Sequence, residues 1–468
     1  MSRILTFLSI STILIVLSCK STEQTEVNRG PLHVSAENPR YFTDNRGKAI
    51  YLTGAHTWNN LVDMVNDDSV KLFDYPGYLS WMKHHNYNFF RLWAWELLNW
   101  DTRGNNEKDA QVLRVFPHPW ARTGPGNALD GKLRFNLEDY DDYYFERLKT
   151  RVRMAGDSGI YVSVMLFEGW GLQFSPNAYA NHPFHPGNNV NGIDGDADGD
   201  GSAVDIHTLA DEKILRIQEN YVKKVIETLN EFDFVLYEIA NECQPSSTEW
   251  QYHMIKLIKN YEKQLPKQHP VGMTFQYKGG SNQALFDSPA DWISPNPDGG
   301  YRDDPPAGDG TKVIVADTDH LWGIGGNSNW AWKSFIRGLN PIFMDPYDRS
   351  VLTGSYDDAW VEPLRKSLRF TRMIADSIDL TSMVPKSTLV STEFCLADIG
   401  ESYLVFLPDT VSVSVNLQEI QGTYESSWFD PINGDISQPE LHEGGEILDL
   451  RSPFNTENNI VYLRRVED

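Results

Sequence analysis

The chain has 468 residues, 40% of them hydrophobic and 12% aromatic, which is enough for a large core divided between two or three domains. Its formal net charge is −24, and such an acidic surface repels phosphate backbones, which argues against nucleic acid as a partner. The sequence contains no HExxH zinc motif, P-loop or GxSxG elbow, so we expect no organic cofactor.

The N-terminus predicts export to the bacterial cell envelope. Arg3 precedes an apolar run, ILTFLSISTILIVLSC, which is too short for a stable membrane span and ends at Cys19. The end of the run resembles a lipoprotein signal. We therefore predict a signal peptide over residues 1–18, lipidation of Cys19 and a tether over residues 19–31. The protein would touch the outer membrane or cell surface only through this lipid. The alternative is an ordinary cleaved signal in which Cys19 has no role.

Eight short apolar segments follow along the chain, most of them separated by helical patterns. Strand–helix alternation predicts a parallel sheet, and eight such units predict a (β/α)8 barrel, assigned to residues 32–385. An open, doubly wound sheet is the alternative. The gaps around the sixth segment are too short for full helices. The predicted strands begin near Ala49, Asn88, Ile160, Phe232, Val271, Ala290, Thr311 and Asn340.

The pattern changes beyond Met383. Short strands alternate with turn signals such as PING and EGG, which predicts a small antiparallel β-sandwich over residues 386–468. At the other end of the barrel, residues 32–52 predict a hairpin that caps its lower mouth. Cys243 and Cys395 fall in different predicted domains, which favours two free thiols over a disulfide.

Polar and aromatic residues gather at the C-terminal ends of the predicted strands, where barrel enzymes carry their chemistry. Sugar rings stack their C–H faces on aromatic rings, so these residues favour a carbohydrate substrate. Trp330 and Trp332 are counted on the same face, and the loops 97–135 and 171–206 are expected to wall the cleft. The substrate-binding candidates are His56, Trp58, Arg91, Trp93, Trp95, Glu96, Glu168, Trp170, Asn241, Gln276, His320, Trp322 and Asp345.

The fourth segment, FVLYEIANEC, ends on the pair Asn241-Glu242. Hydrolysis of a glycosidic bond requires two carboxyl groups that flank the bond, one protonated and one ionised. A pocket rimmed by tryptophans would raise the pKa of Glu242, and Arg91 would hold the partner carboxylate ionised. Glu242 is therefore the predicted general acid/base.

The partner carboxylate is sought on the seventh segment, TKVIVADTDH, in which Asp317 and Asp319 would share one face of a strand. One of them is the nucleophile of a retaining enzyme, or its short side chain leaves room for the water of an inverting enzyme. In a third interpretation one aspartate only orients His320 or binds Arg91. Asp317 is the preferred candidate for the partner carboxylate, and Asp319 is kept as the second candidate. Glu96 and Glu168 are reserve candidates.

Glu393, in the stretch VSTEF, is rejected as the partner. If that stretch were the seventh strand, no eighth strand would fit before the sandwich begins. The Asn241-Glu242 pair resembles the acid/base site of clan A glycoside hydrolases, and Arg91 matches an arginine of that clan's second strand. The resemblance implies that Glu242 protonates the glycosidic oxygen and that Asn241 binds the 2-hydroxyl of the sugar. The clan normally carries a glutamate where this chain has Asp317.

The whole mature chain resembles a bacterial group in which such a barrel precedes a collagen-binding-type sandwich, with YLVFLP and SSWFDPINGD as the matching stretches. We expect a monomeric, lipid-anchored glycoside hydrolase that acts on a polysaccharide or oligosaccharide. The alternatives are a non-catalytic glycan-binding lipoprotein on a degenerate barrel, and an adhesin for host matrix.

An acidic loop, DGDADGDGSAVD, matches a calcium-loop template with acids at positions 1, 3, 5, 7 and 12 and glycine at position 6. The alternative is a solvated acidic loop without an ion. The predicted calcium ligands are Asp194, Asp196, Asp198, Asp205 and the backbone of Asp200.

Overall fold

The computed structural model describes residues 29–66, 71–102, 111–196, 198–351 and 358–466. Eight parallel strands form a near-closed barrel in the order β2-β3-β4-β5-β6-β7-β8-β1, and the predicted barrel is confirmed. Each strand lies within one of the eight predicted segments. They are β1 (Gly54–His56), β2 (Phe89–Leu92), β3 (Tyr161–Glu168), β4 (Val235–Asn241), β5 (Val271–Thr274), β6 (Trp292–Ser294), β7 (Val313–Asp317) and β8 (Asn340–Met344).

Strands β1 and β2 meet at the remaining edge through the side chain of Asn88. Its Oδ1 accepts from the backbone N–H of Thr53 at 3.0 Å, and its Nδ2 donates to the carbonyl of Tyr51 at 2.9 Å. The approach is so close that a Cβ on Gly54 would lie 2.0 Å from the carbonyl oxygen of Phe89. Glycine is therefore required at this point of the barrel.

The helices lie mainly on the outside of the barrel. Helix α4 buries Ile214, Ile217 and Tyr221 on one face and is capped by Asp211, whose side chain accepts from two backbone N–H groups. The short α6 follows β5, and residues 295–312, all of them described, contain no helix before β7. The helices are α1 (Tyr75–His84), α2 (Asp142–Asp157), α3 (Trp170–Phe174), α4 (Glu212–Leu229), α5 (Thr248–Glu262), α6 (Asn282–Asp287), α7 (Thr318–Trp322), α8 (Ser328–Ile336) and α9 (Asp358–Ser377).

The barrel interior has an apolar lower layer and a polar upper layer. The lower layer includes Phe89, Leu236 and Val315, and it is closed from below by a three-stranded antiparallel sheet (His33–Val34, Phe42–Thr43 and Ala49–Ile50). Side chains two residues apart on a strand share a face, so each of these residues is followed inside the barrel by a polar one. The upper layer consequently contains Arg91, Glu238 and Asp317.

Further strands lie in the loops after β1 and β2. Asp63–Val65, Asn99–Asp101 and Val112–Phe116 form a three-stranded antiparallel sheet. Trp120–Asn127 pairs with Leu133–Tyr140 as a hairpin. These strands build up one side of the upper face.

The C-terminal region is an antiparallel β-sandwich, as predicted. Its larger sheet has the order β9-β10-β11-β16-β13-β14, and β12 pairs with β15. Glu393 lies just before β10 and does not line the cavity at the upper face of the barrel. Cys243 and Cys395 are free thiols, as predicted. The strands are β9 (Val384–Pro385), β10 (Cys395–Asp398), β11 (Ser402–Leu407), β12 (Ser412–Asn416), β13 (Thr423–Phe429), β14 (Glu440–Glu443), β15 (Ile447–Arg451) and β16 (Asn459–Arg465).

The predicted signal peptide, Cys19 and most of the tether lie outside the described residues. Within the described ranges, no helix is both long enough and apolar enough to cross a membrane.

Candidate active site

A cavity of about 800 Å³ opens at the C-terminal ends of the barrel strands, a volume typical of small-molecule sites. Asn241, Glu242, Asp319 and His320 contribute polar groups to its lining, and Arg302 contributes a cation. The rest of the lining is largely aromatic. The aromatic residues are Trp58, Trp93, Trp95, Trp100, Trp170, Phe275, Tyr277, Trp322 and Trp360.

Glu242 follows β4 directly and has a φ of 46°, a left-handed conformation that costs a non-glycine residue roughly 1–3 kcal/mol. Its side chain lines the cavity, yet the residue is only 6% exposed. Burial and the neighbouring Asp319 carboxyl raise the pKa of Glu242 well above its usual range, and Arg91 only partly opposes them. Glu242 is thus a carboxyl group at the cavity whose environment favours the protonated form.

Arg91 links three barrel strands beneath the cavity. Its Nη2 donates to Glu238 at 2.5 Å and to Asn241 Oδ1 at 2.6 Å, both on β4. Its Nη1 donates to Asp317 at 2.9 Å and to Asp319 at 3.1 Å. A guanidinium cannot lose its proton here, so it supplies a permanent positive charge to four surrounding groups.

Asp317 is fully buried and does not line the cavity. It accepts hydrogen bonds from Arg91 and from His56 Nε2, and it caps α7 by accepting from the N–H of Asp319. His56 Nδ1 accepts from Trp93 Nε1 at 2.8 Å, so the hydrogen of His56 lies on Nε2 and points to Asp317. His56 and Arg91 hold the pKa of Asp317 well below its usual range. The prediction that Asp317 is the preferred nucleophile is therefore corrected. Both of its carboxylate oxygens already accept hydrogen bonds from other groups of the protein.

Asp319 is the seventh-strand acid that reaches the cavity. Strand β7 ends at Asp317 and Asp319 lies in the first turn of α7, so the expectation that they share a strand face is also corrected. A carboxylate oxygen of Asp319, one of Glu242 and a ring nitrogen of His320 lie within 4.8 Å of one another. Burial and Asp317 raise the pKa of Asp319 to about 7, although Arg91 opposes this rise.

His320 orients Asn241. Its Nδ1 accepts from the Ser294 hydroxyl at 2.7 Å, so Nε2 carries the hydrogen and donates to Asn241 Oδ1 at 3.2 Å. Burial holds the pKa of His320 well below its usual range, so the ring is neutral. The spacing of Glu242, Asp319 and His320 would suit a cation, but the nitrogen that would bind the metal is already a donor to Asn241.

Six predicted substrate-binding residues lie behind the cavity lining and not in it, which corrects the expectation of direct contact. Glu168 is fully buried and accepts from the N–H of Gly171, and burial raises its pKa to about 8. The Gln276 amide donates to Ser247 Oγ at 3.0 Å. The residues behind the lining are His56, Arg91, Glu96, Glu168, Gln276 and Asp345.

Asp345 and Glu96 are also committed to protein partners. Asp345 is 1% exposed and forms a bidentate ion pair with Arg365. Glu96 accepts from two histidines, His182 at 3.0 Å and His207 at 2.9 Å. Neither carboxylate has an oxygen left to face a sugar, so Asp345 does not bind one directly and Glu96 does not serve as the reserve nucleophile. Glu168, the other reserve candidate, is fully buried and does not line the cavity.

The predicted tryptophans divide into two groups. Trp58, Trp93, Trp95, Trp170 and Trp322 line the cavity. Trp330 and Trp332 do not, because both are buried within helix packing. Sequence reasoning missed Trp100, Phe275, Tyr277, Arg302 and Trp360. Trp100 lies in a loop that was expected to wall the cleft, and that was the only signal for it.

The acidic loop adopts a different register from the prediction. Carboxylate oxygens of Asp196, Asp198 and Asp200 lie within 4.8 Å of one another, and the N–H groups of Asp200 and Gly201 donate to Asp196. Asp194 instead accepts from the Tyr179 hydroxyl. The converging acids therefore begin at Asp196, two residues later than predicted. Calcium binding stays a prediction.

Residues 82–279 match a family model described as a domain of unknown function, DUF6298. No curated protein matches the sequence. One solved structure described as a glycoside hydrolase is similar over 94% of this chain and 98% of its own, with 12% identity and a TM-score of 0.60. A glycoside hydrolase family 5 structure from Bacteroides vulgatus is similar over 93% and 94%, with 12% identity and a TM-score of 0.61. The chain therefore has the fold of these glycoside hydrolases.

Proposed function

We propose that the protein is a retaining glycoside hydrolase in which Glu242 is the general acid/base and Asp319 is the nucleophile. The observation that carries the proposal is the closeness of the two carboxyl groups, since one oxygen of Glu242 and one of Asp319 lie within 4.8 Å of each other at the cavity. Carboxyl groups about 5–5.5 Å apart are typical of retaining enzymes, whereas about 6.5–9.5 Å is needed to hold a water between them.

The reaction has two steps. The Asp319 carboxylate attacks the anomeric carbon, the bond from that carbon to the leaving oxygen breaks, and Glu242 gives its proton to the leaving oxygen. In the second step the Glu242 carboxylate takes a proton from water while the water oxygen attacks the same carbon and releases Asp319. Two inversions at one carbon yield net retention.

The electrostatics favour this division of roles. Both pKa values are raised by burial, but Arg91 donates directly to Asp319 and not to Glu242. Asp319 therefore ionises at a lower pH than Glu242. Between the two pKa values the pair holds one proton, on Glu242, as the first step requires.

The cavity walls support a polysaccharide or oligosaccharide as the substrate class. Trp58, Trp93, Trp95, Trp100 and Trp170 line the cavity together. Their rings can stack on the C–H faces of sugars. The similarity of the fold to solved glycoside hydrolases is consistent with this substrate class.

The proposal is tested on a panel of glycans with the wild type, Glu242→Gln and Asp319→Asn. Both substitutions should reduce cleavage by about 10²-fold or more, since each removes a group that acts in the transition state. Glu212→Gln is the matched control, because Glu212 is an exposed acid on the outer helix α4 and does not line the cavity. Product stereochemistry, followed by NMR, should show retention. Binding without cleavage by the wild type would instead favour a glycan-binding protein.

We also propose lipid anchoring at the cell envelope, which rests on the sequence before residue 29. Cys19→Ala should release the protein from the membrane fraction into the soluble fraction. A wild type that is already in the soluble fraction would instead favour an ordinary cleaved signal peptide.

A further inference from the structure

A buried chain of hydrogen bonds lies behind Glu242, outside the cavity. Cys243 follows Glu242, and its Sγ lies 3.2 Å from Nδ1 of His207. Nε2 of the same ring lies 2.9 Å from Oε1 of Glu96. Cys243 and His207 are fully buried, and Glu96 is 7% exposed. The chain thus connects the loop after β2, the loop after β3 and the end of β4.

The direction of each hydrogen bond follows from the partners. The N–H of Phe184 donates to Nδ1 of His182, so His182 donates to Glu96 through Nε2. The histidines hold the pKa of Glu96 well below its usual range, so Glu96 is a carboxylate that only accepts. His207 therefore donates through Nε2, and in the neutral form of the ring its Nδ1 accepts from the Cys243 thiol.

The order acid, histidine and cysteine is also that of a cysteine nucleophile site. Three observations oppose that function here. Cys243 is fully buried and is not part of the cavity lining. Burial raises the pKa of its thiol well above the usual range, whereas a nucleophile needs a lowered one. These hydrogen bonds therefore support the backbone next to Glu242.

The segment that the chain supports is strained. Glu242 has a φ of 46°, and such a conformation persists only where the surroundings fix it. The Gln173 amide donates to the Glu242 carbonyl at 2.8 Å, and the Gly169 N–H donates to the Asn241 carbonyl at 2.8 Å. A Cβ on Gly169 would lie 2.4 Å from Cys243 Sγ, so the thiol occupies a place that glycine leaves open.

We propose that His207, oriented by Glu96, is a positioning residue that fixes the acid/base Glu242 through the side chain of Cys243. This inference rests on the proposed function, because it assigns the network to the proton-transfer step of that reaction. His182 shares the same carboxylate partner but does not reach Cys243, so it has no such role.

Matched variants separate positioning from stability. In His207→Gln the amide nitrogen can replace Nε2 toward Glu96, but no atom replaces Nδ1 toward Cys243. In His182→Gln the same bond to Glu96 is kept and only the bond from Phe184 is lost. Cys243→Ser retains a donor to His207, whereas Cys243→Ala removes it. We expect His207→Gln and His182→Gln to have comparable melting temperatures, and likewise Cys243→Ser and Cys243→Ala.

The activity readout compares two aryl glycosides of a sugar that the wild type cleaves, one with dinitrophenol and one with phenol as leaving group. Dinitrophenolate leaves without a proton, so only the phenyl glycoside needs Glu242 as an acid. General acid catalysis contributes about 10²–10⁴-fold. His207→Gln and Cys243→Ala should therefore lose about tenfold more kcat/KM on the phenyl than on the dinitrophenyl glycoside, because kcat/KM reports the first step, in which Glu242 acts as the acid. In Cys243→Ser and His182→Gln, any loss of kcat/KM should be the same on the two glycosides. Equal losses in all four variants would overturn the proposal.

Crystal structures of the same variants test the proposal without any substrate. The Glu242 backbone and carboxyl group should shift in His207→Gln and Cys243→Ala and keep their positions in Cys243→Ser and His182→Gln. An unmoved Glu242 in all four would overturn the positioning role. If the wild type cleaves no glycan but these shifts occur, the proposed function fails while the positioning role stands.

Discussion

Asp317 and Asp319 are two residues apart and contact the same guanidinium, yet their surroundings assign them opposite tasks. Asp317 is fully buried and accepts from His56, Arg91 and a helix N–H. Asp319 shares only one of these partners, Arg91, and lines the cavity. Three donors stabilise a permanent carboxylate, whereas one donor leaves a carboxylate that can react.

This difference predicts the pH dependence of the proposed reaction. Activity requires Asp319 to be ionised, and its pKa is raised to about 7. It also requires Glu242 to be protonated, and its pKa is raised well above the usual range. kcat/KM should therefore rise with pH through about 7 and fall at higher pH, with two apparent pKa values that belong to the pair. A pH–rate profile measured in buffers of constant ionic strength checks this. An optimum near pH 5 would contradict it.

The same difference predicts opposite effects on stability. Asp317→Asn leaves Arg91 short of a buried counter-charge and should cost about 3–5 kcal/mol of unfolding free energy, measured by urea denaturation. Asp319→Asn should change stability far less. The folded-state pKa of Asp317 is lowered, so its contribution is present above the ordinary pKa of aspartic acid and is lost as pH falls through the folded value. Equal stability of the two variants would refute the distinction.

The sequence pointed to both aspartates but not to their order of importance. The apolar residues of VIVAD predict a buried strand but do not mark where the strand ends. One signal was available: an aspartate that precedes a helical turn is a common N-cap, and Asp317 caps α7. That signal would have assigned Asp317 to the protein's own backbone.

At the scale of elements, the eight barrel strands were predictable because each is a short apolar run with β-branched residues followed by polar ones. The network around Glu96 was not predictable. Its partners His182 and His207 are 86 and 111 residues away in sequence. They lie in a long loop without periodicity, so no local pattern relates these side chains.

The acidic loop gives a prediction about metal removal. Asp196, Asp198 and Asp200 bring three carboxylates together, and like charges this close are destabilising unless a cation binds them. Calcium should raise the melting temperature and EDTA should lower it, by an amount equivalent to about 2.7 kcal/mol when calcium is at 100 times its Kd.

Asp198→Asn/Asp200→Asn is the matched variant for this test. It should melt at the same temperature with and without calcium. If the wild type also melts at one temperature in calcium and in EDTA, the loop is a solvated acidic turn.

At the scale of the molecule, the sandwich shares a hydrophobic core with the barrel. Trp332 and Phe335 of α8 pack together with Phe406 and Phe429 of the sandwich. Trp332 is fully buried, so the two domains stabilise each other through apolar burial. The sandwich thus packs on the barrel as part of one folded unit and is not a freely tethered module.

Two tryptophans ten residues apart test this organisation. Trp332→Ala should cost about 3–5 kcal/mol of stability, as a buried aromatic does when truncated. Trp322→Ala, in the cavity wall, should cost less stability because this side chain is only partly buried, and it should weaken the proposed glycan binding. Thermal melting and binding titrations distinguish the two. A small stability loss for Trp332→Ala would mean that the domain contact contributes little.

The polar layer of the barrel has one further consequence, for inhibition. Around the single guanidinium of Arg91 lie the acids Glu238, Asp317 and Asp319, with Glu242 near by. Negative groups therefore outnumber positive ones where a sugar would develop positive charge. A protonated iminosugar should bind more tightly than the neutral sugar of the same shape. Its affinity should rise as Asp319 ionises, so calorimetry above and below pH 7 would show whether the cavity selects for charge.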